Sequence, residues 1–167
     1  MKFSESYGIQ TDGTEDWFDP ILNVDTPLFV DPFLIYGDAD TQWSRSHDKV
    51  IAHFDRAFKL LAESDANPKH LKYQAALNLL TFPEPREFCL GYTEFGTRGS
   101  GSGRQQAGLI ADAMCDAIAR GVRHLEHFEE LGIFQVGIGP DRISDTVCTV
   151  LKPDFVDYTQ KVATELG

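Results

Sequence analysis

Ser46-His47-Asp48-Lys49-Val50-Ile51-Ala52-His53-Phe54-Asp55-Arg56-Ala57-Phe58-Lys59-Leu60-Leu61-Ala62-Glu63, residues 46–63, carries the clearest periodicity in the chain. Val50, Phe54, Ala57, Phe58 and Leu61 recur at helical spacing and form one apolar stripe, while Lys49, Arg56 and Lys59 fall off it. Asn67-Pro68 follows closely and reads as an N-cap with proline at the first helical position, opening a second helix that runs to about Leu80. So short a connection predicts an antiparallel helical hairpin. Phe82-Pro83-Glu84-Pro85 stops the second helix.

The elements on either side complete the pattern. A third helix is predicted over about 105–120, burying Leu109, Ile110, Ala113, Ala117 and Ile118 and stopping at Gly121, a residue suited to the C′ position. Val122 to Leu131 predicts a shorter helix ended by Gly132. Pro140 stands at another helix start, with Asp141 and Asp145 in its first two turns. Lys152-Pro153-Asp154 punctuates, and residues 153–166 read as a last helix with Phe155, Val162 and Leu166 along one side. Residues 1–40 are irregular and rich in Asp, Pro and aromatics. Within them Leu28-Phe29-Val30 suits a short buried strand, which Asp31-Pro32 would end. Phe88 to Tyr92 is a second strand-like run. The expected class is α+β and mainly α, with five or six helices and two or three short strands. Residues 1–167 should form a single domain, an acidic irregular segment (1–40) packed on a helical body (41–167).

With 167 residues and an apolar fraction of 42%, the chain is long enough to build its own core without disulfides or metals. Cys89, Cys115 and Cys148 are odd in number, far apart and set among apolar residues, as buried free thiols are. Neither a signal core nor a run of membrane-spanning length is present in the sequence, so the expected setting is the cytoplasm. The formal charge is −11, and residues 1–40, with nine acids against Lys2 alone, carry −8 of it. That field repels nucleic acid, so any such contact has to be local, through a loop and a few arginines. The acidic face serves either as a solubilising surface or as a dock for a basic partner.

Gly96-Thr97-Arg98-Gly99-Ser100-Gly101-Ser102-Gly103-Arg104 lies between the second strand-like run and the third helix. Its amides can converge into a nest at a helix N-terminus, the usual arrangement for an anion and above all a phosphate. Arg98 and Arg104 can fork onto phosphate oxygens. The loop is no P-loop, since no lysine occurs between Lys72 and Lys152, and the dinucleotide fingerprint lacks its third glycine. The phosphate site is therefore Arg98, Gly99, Gly101, Gly103 and Arg104; a plain surface loop is the other reading.

Asp141 and Asp145 are four apart and share one helix face. Together with Asp31 and Glu94 they could supply oxygen ligands to Mg²⁺ or Mn²⁺. In that case Asp141 and Asp145 would be the catalytic pair of a phosphodiester or nucleotide hydrolase; capping and solvated acids explain the same residues without a metal. Gly137-Ile138-Gly139-Pro140-Asp141-Arg142-Ile143 resembles the turn of helix-hairpin-helix DNA-binding modules, though it equally reads as a glycine turn feeding proline into a helix. His124-Leu125-Glu126-His127 does not match metalloprotease spacing and reads as an exposed, mildly basic helix end. Gly99-Ser100-Gly101-Ser102-Gly103 lacks the strand context of a nucleophile elbow.

Four stretches together are similar to the N-terminal part of an uncharacterised bacterial family associated with mobile elements and antiphage defence. They are Leu28 to Leu34, Phe82-Pro83-Glu84 with Cys89 to Tyr92, the Gly-Thr-x-Gly-Ser-Gly loop, and Gly137 to Asp145. The resemblance implies a longer protein, of which this chain is a short form or a fragment. It implies no activity of its own. Two functions are expected on these grounds. One is an anion-binding domain in a nucleic-acid- or nucleotide-related defence function, with or without a divalent ion. The other is a non-catalytic subunit that docks on a larger protein partner, or on its own copies, through its acidic surface.

Overall fold

The computed structural model describes residues 1–36, 43–83, 88–91, 103–124 and 140–167, with Pro140 and Asp141 described by backbone alone. Seven helices lie among the described residues. They are α1 (Phe3–Tyr7), α2 (Pro32–Tyr36), α3 (Ser46–Ala62), α4 (Leu71–Leu79), α5 (Gly103–Ala119), α6 (Pro140–Val150) and α7 (Lys152–Leu166). The chain is mainly helical.

α3 is the hub, packing against α2, α4, α5 and α6. The whole stripe expected of it is interior: Val50, Phe54, Ala57, Phe58 and Leu61 are each 2% exposed or less. Side chains of the size of Phe54 and Leu61 gain about 1.5–3 kcal/mol each from such burial. α4 closes on α3 with Tyr73, Ala76 and Leu77, and Leu80 just beyond its end is 1% exposed. The turn between them is tight because Asp65 and Ala66 both take positive φ, 50° and 53°. Asn67-Pro68 belongs to that turn and does not start the helix. Asn67 Oδ1 accepts the Lys69 N–H at 3.0 Å. α4 opens only at Leu71, with His70 as its cap, whose Nδ1 accepts the Lys72 N–H at 3.1 Å. His53 crosses back and donates Nε2–H to the Leu79 carbonyl at 2.8 Å. This satisfies one of the carbonyls that a helix end leaves open.

α5 begins at Gly103, two residues before its expected start, and buries Ala113 and Ala117 as expected, on a face shifted from the one predicted. Ala107, Ala111 and Met114 are fully enclosed, whereas Leu109 is 46% exposed and Ile110 and Ile118 are half-buried. A seam of alanines lets α5 approach α3 and α4 closely, and close approach outweighed the larger side chains in choosing the inward face. Its end follows expectation. Gly121 has φ 97°, its N–H reaches the Ile118 carbonyl at 3.0 Å, and the Val122 N–H reaches Ala117 at 3.0 Å. That is a Schellman closure with glycine at C′. Residues 122–124 are not helical, and the rest of the helix expected over Val122 to Leu131 lies outside the described residues.

The two or three short strands are not found among the described residues. In their place stand two isolated bridges, Lys2 with Ile21 and Thr26 with Leu90. Leu28 to Val30 finds no strand partner among the described residues. At the second bridge, Thr26 N–H reaches the Cys89 carbonyl at 2.8 Å and Gly91 N–H returns to Thr26 at 3.0 Å. Cys89 (φ 52°) and Gly91 (φ 136°) leave the extended region there, so no ladder can propagate.

Contacts spread along residues 1–36 tie them to the helices. The Asp19 carboxylate accepts from the Ser4 N–H (2.9 Å) and hydroxyl (2.8 Å), folding α1 back on its own segment. Tyr158 of α7 donates its hydroxyl to the Asp16 carbonyl at 2.9 Å. α7 itself has no fully buried residue. It is held by Phe155 between Trp43 and Phe88, ring centroids 4.7 and 4.9 Å away, and by the Lys49–Asp154 ion pair. Among the described residues no helix is long and apolar enough to cross a membrane.

Candidate functional site

The start of α5 is where the described structure meets the predicted phosphate loop. Arg98, Gly99 and Gly101 lie outside the described residues, and Gly103 and Arg104 lie inside. Gly103 faces the end of α4, where a Cβ would sit 3.4 Å from the Thr81 methyl and 3.8 Å from the Phe82 carbonyl. Arg104 donates Nη2–H to Gln74 Oε1 at 2.7 Å, and Gln74 in turn donates to the Pro68 carbonyl at 2.7 Å. The guanidinium is thus held in place from α4. α5 has no carboxylate in its first turn, so nothing acidic on the helix itself neutralises the partial positive charge of its N-terminus. Deeper along the same pair, Tyr73 donates its hydroxyl to Asp112 at 3.3 Å, and burial raises the Tyr73 phenol above its ordinary value.

Of the acidic set, Asp31 and Asp145 lie on chain segments that touch. Ser144, buried on α6, accepts the Val30 N–H with its hydroxyl at 2.9 Å, so the residue before Asp31 is tied to the residue before Asp145. Asp31 is exposed and its Oδ1 accepts the Phe33 N–H at 2.9 Å, a turn that starts α2. Asp145 is half-buried. Glu94 and the side chain of Asp141 lie outside the described residues, as do Gly137 to Gly139 and His127. Among the described residues no group of three or more metal-ligating side chains comes together.

All three cysteines are thiols outside any disulfide. Burial, with a smaller contribution from the Asp145 charge, pushes the Cys148 thiol up to about 12, against an opposing hydrogen bond from Ser144. Burial raises Cys115 too, helped by Asp112 and Asp116. Neither is poised as a nucleophile.

Sequence reasoning did not single out Gln74, Ser144, Asp25 or Thr26. Asp25 Oδ2 and Thr26 Oγ1 are buried without a hydrogen-bond partner beside the bridge to Leu90, the last described stretch before the glycine loop. A buried acceptor left open costs free energy unless a donor or cation meets it. No spacing rule marks a lone Asp-Thr pair, and only the fold places it there.

A family model described as a domain of unknown function (DUF8370) matches residues 8–167, so the chain belongs to that family. No curated protein and no solved structure matches it.

Proposed function

We propose that this member of the DUF8370 family is a phosphate-binding domain whose site is the 96–104 loop together with the first turn of α5. The observation that carries the reading is the beginning of that helix. Gly103 opens 17 residues of α-helix with Arg104 in the first turn and no acid there. The helix N-terminus contributes about half a positive charge, and the sequence that leads into it offers the amides of Gly99 and Gly101 and the guanidinium of Arg98 as further donors for the site. Arg104 keeps further guanidinium N–H groups for a phosphate while Gln74 orients it. We further propose a nucleic acid or nucleotide, in a bacterial defence function in the cytoplasm, as the source of that phosphate.

A hydrolytic version adds Mg²⁺ or Mn²⁺ on Asp31, Glu94, Asp141 and Asp145, and requires a divalent-ion stability shift that Asp141→Asn or Asp145→Asn removes. The phosphate site itself is tested by thermal unfolding in inorganic phosphate against chloride at matched ionic strength. Phosphate at a hundredfold excess over Kd should stabilise by about 2.7 kcal/mol, and Arg98→Ala or Arg104→Ala should remove most of the gain. No phosphate-specific gain in the unsubstituted protein would refute the proposal.

A second reading is favoured by the apolar surface of the acidic segment. Phe33 and Leu34 on α2 are 65% and 77% exposed, with Leu28 at 49% and Phe18 at 45%. Such side chains amid carboxylates suit a basic, amphipathic partner. Phe33→Asp with Leu34→Asp should abolish that complex and leave the phosphate response intact.

A further inference from the structure

α4 is capped by an imidazole, and that choice makes its first turn sensitive to protons. The usual capping side chains, Ser, Thr, Asp and Asn, accept an amide hydrogen bond throughout the neutral range. An imidazole does so only while one ring nitrogen is bare. The donor here is the Lys72 main-chain N–H, 3.1 Å from His70 Nδ1. The bond itself therefore fixes the tautomer, with Nδ1 as acceptor and the proton of the neutral ring on Nε2. A proton added at Nδ1 turns the acceptor into a donor that faces a donor. It also sets a positive charge at the positive end of the helix. The ring is exposed, so solvent protons reach it.

The cap has no substitute among the described residues. Leu71, the first residue of α4, is 85% exposed, and no acid stands in the first turn. The charged groups on and around this turn are of both signs. Lys69 and Lys72 flank the ring in sequence, and Asp65 lies in the preceding turn. Glu63, past the end of α3, pairs with Lys72 at 2.8 Å and feels Lys59. α5 contributes Arg104, Asp112 and Asp116. Tyr73 and Cys115 stay neutral, since burial raises both. With charges so mixed, the hydrogen bond at Nδ1 decides which form of the ring the fold prefers.

The turn held by this cap also holds the arginine of the phosphate loop. Gln74 Nε2 donates to the Pro68 carbonyl at 2.7 Å, two residues before the cap, and Gln74 Oε1 accepts Arg104 Nη2–H at 2.7 Å. The Gln74 main-chain N–H donates to the His70 carbonyl at 3.1 Å. Pro68, His70 and Gln74 are thus one hydrogen-bonded unit, and its shape sets where Arg104 is held. We propose that His70 is a proton-operated latch on this unit: the neutral ring holds the first turn of α4 and, through Gln74, the Arg104 guanidinium, and the protonated ring releases both. Where this latch acts on anion binding it rests on the phosphate reading above, and it makes the loop a site that weakens as pH falls. A cap is worth on the order of a factor of five in an equilibrium, which bounds the effect.

The test follows the full chain by ¹H–¹⁵N spectroscopy between pH about 8 and 5, where imidazoles titrate. Sulfate is the probe, because its charge is constant over that range. The Lys72 amide, the Gln74 side-chain amide and the Arg104 Nε–H should shift with one midpoint, that of the His70 ring. His70→Asn keeps an acceptor that does not titrate, and should erase that midpoint from all three signals. Sulfate should bind the unsubstituted protein about three- to fivefold more weakly at the acid end, and His70→Asn less than about twofold more weakly. Gln74 and Arg104 signals that ignore the His70 midpoint, or that keep it in His70→Asn, overturn the proposal. So does a sulfate affinity that falls equally in both proteins. Sulfate that binds at no pH, while Arg104 still follows His70, refutes the phosphate loop and leaves the latch standing as a control on Arg104.

Discussion

Replacing glycine by alanine at the two ends of α5 should move stability in opposite directions. At Gly103 the backbone is helical, and the added Cβ meets the Thr81 methyl at 3.4 Å and the Phe82 carbonyl at 3.8 Å, both ordinary contacts. No strain opposes the substitution, while the unfolded chain loses conformational freedom. Gly103→Ala should therefore stabilise by about 0.4–1 kcal/mol, which for a chain of this size raises Tm by about 1–4 °C. The Cβ points toward Thr81 and the Gly103 amide is retained, so the phosphate response should survive. At Gly121, by contrast, φ is 97°, and the residue donates its N–H to the Ile118 carbonyl in the Schellman closure. An L side chain there costs about 1–2 kcal/mol. The two variants should thus differ by about 1.5–3 kcal/mol in urea unfolding at equal slope. A destabilised Gly103→Ala would refute the reasoning, because it would mean the fold itself requires glycine where the account leaves it dispensable.

Four further outcomes follow from the described contacts. Phe54→Ala, at 1% exposure in the middle of α3, should cost about 3–5 kcal/mol in urea unfolding; a cost under about 1 kcal/mol would show that α3 is not the hub. Ser144→Ala should cost about 1 kcal/mol by stranding the Val30 N–H, and Ser144→Thr should recover part of it. Burial depresses the His53 pKa below its ordinary 6.5, against the opposing hydrogen bond to Leu79. The unfolded chain therefore takes up this proton first, and the stability it contributes is present above about 6.5 and lost as pH falls below that value. The difference in urea midpoint between wild type and His53→Asn should narrow on acidification; a difference constant between pH about 7.5 and 5 would contradict it. Cys148, in a Cys89→Ser, Cys115→Ser background, should resist a thiol reagent in the native state and react only on unfolding.

The α3 stripe was legible because five buried positions fall on a single 3.6-residue period and no competing face is apolar. Gly121 and Pro140 were legible for a related reason: each is a residue whose backbone chemistry fits one place in a helix. The inward face of α5 was legible only in part, at Ala113 and Ala117. Leu109 and Ile118 outrank alanine on any hydrophobicity scale, yet the distance between packed helices chose Ala107 and Ala111. The start of α4 was missed because Asn67-Pro68 suits a turn as well as a cap, and the histidine that does the capping is an unusual choice. Gly103 and Arg104 were legible as part of the glycine-rich stretch but not as the first turn of α5, where the structure puts them. Gln74 and Ser144 were not legible, since each meets its partner across 30 and 114 residues of chain.

The central claim is that the amides leading into α5 receive a phosphate. A ¹H–¹⁵N titration of the full chain with inorganic phosphate, at ionic strength held constant with chloride, addresses it directly. The account predicts saturable shifts concentrated at Gly99, Gly101, Gly103 and Arg104, abolished by Arg98→Ala together with Arg104→Ala. Shifts that are absent there, or that grow linearly and scatter over the surface, would contradict it.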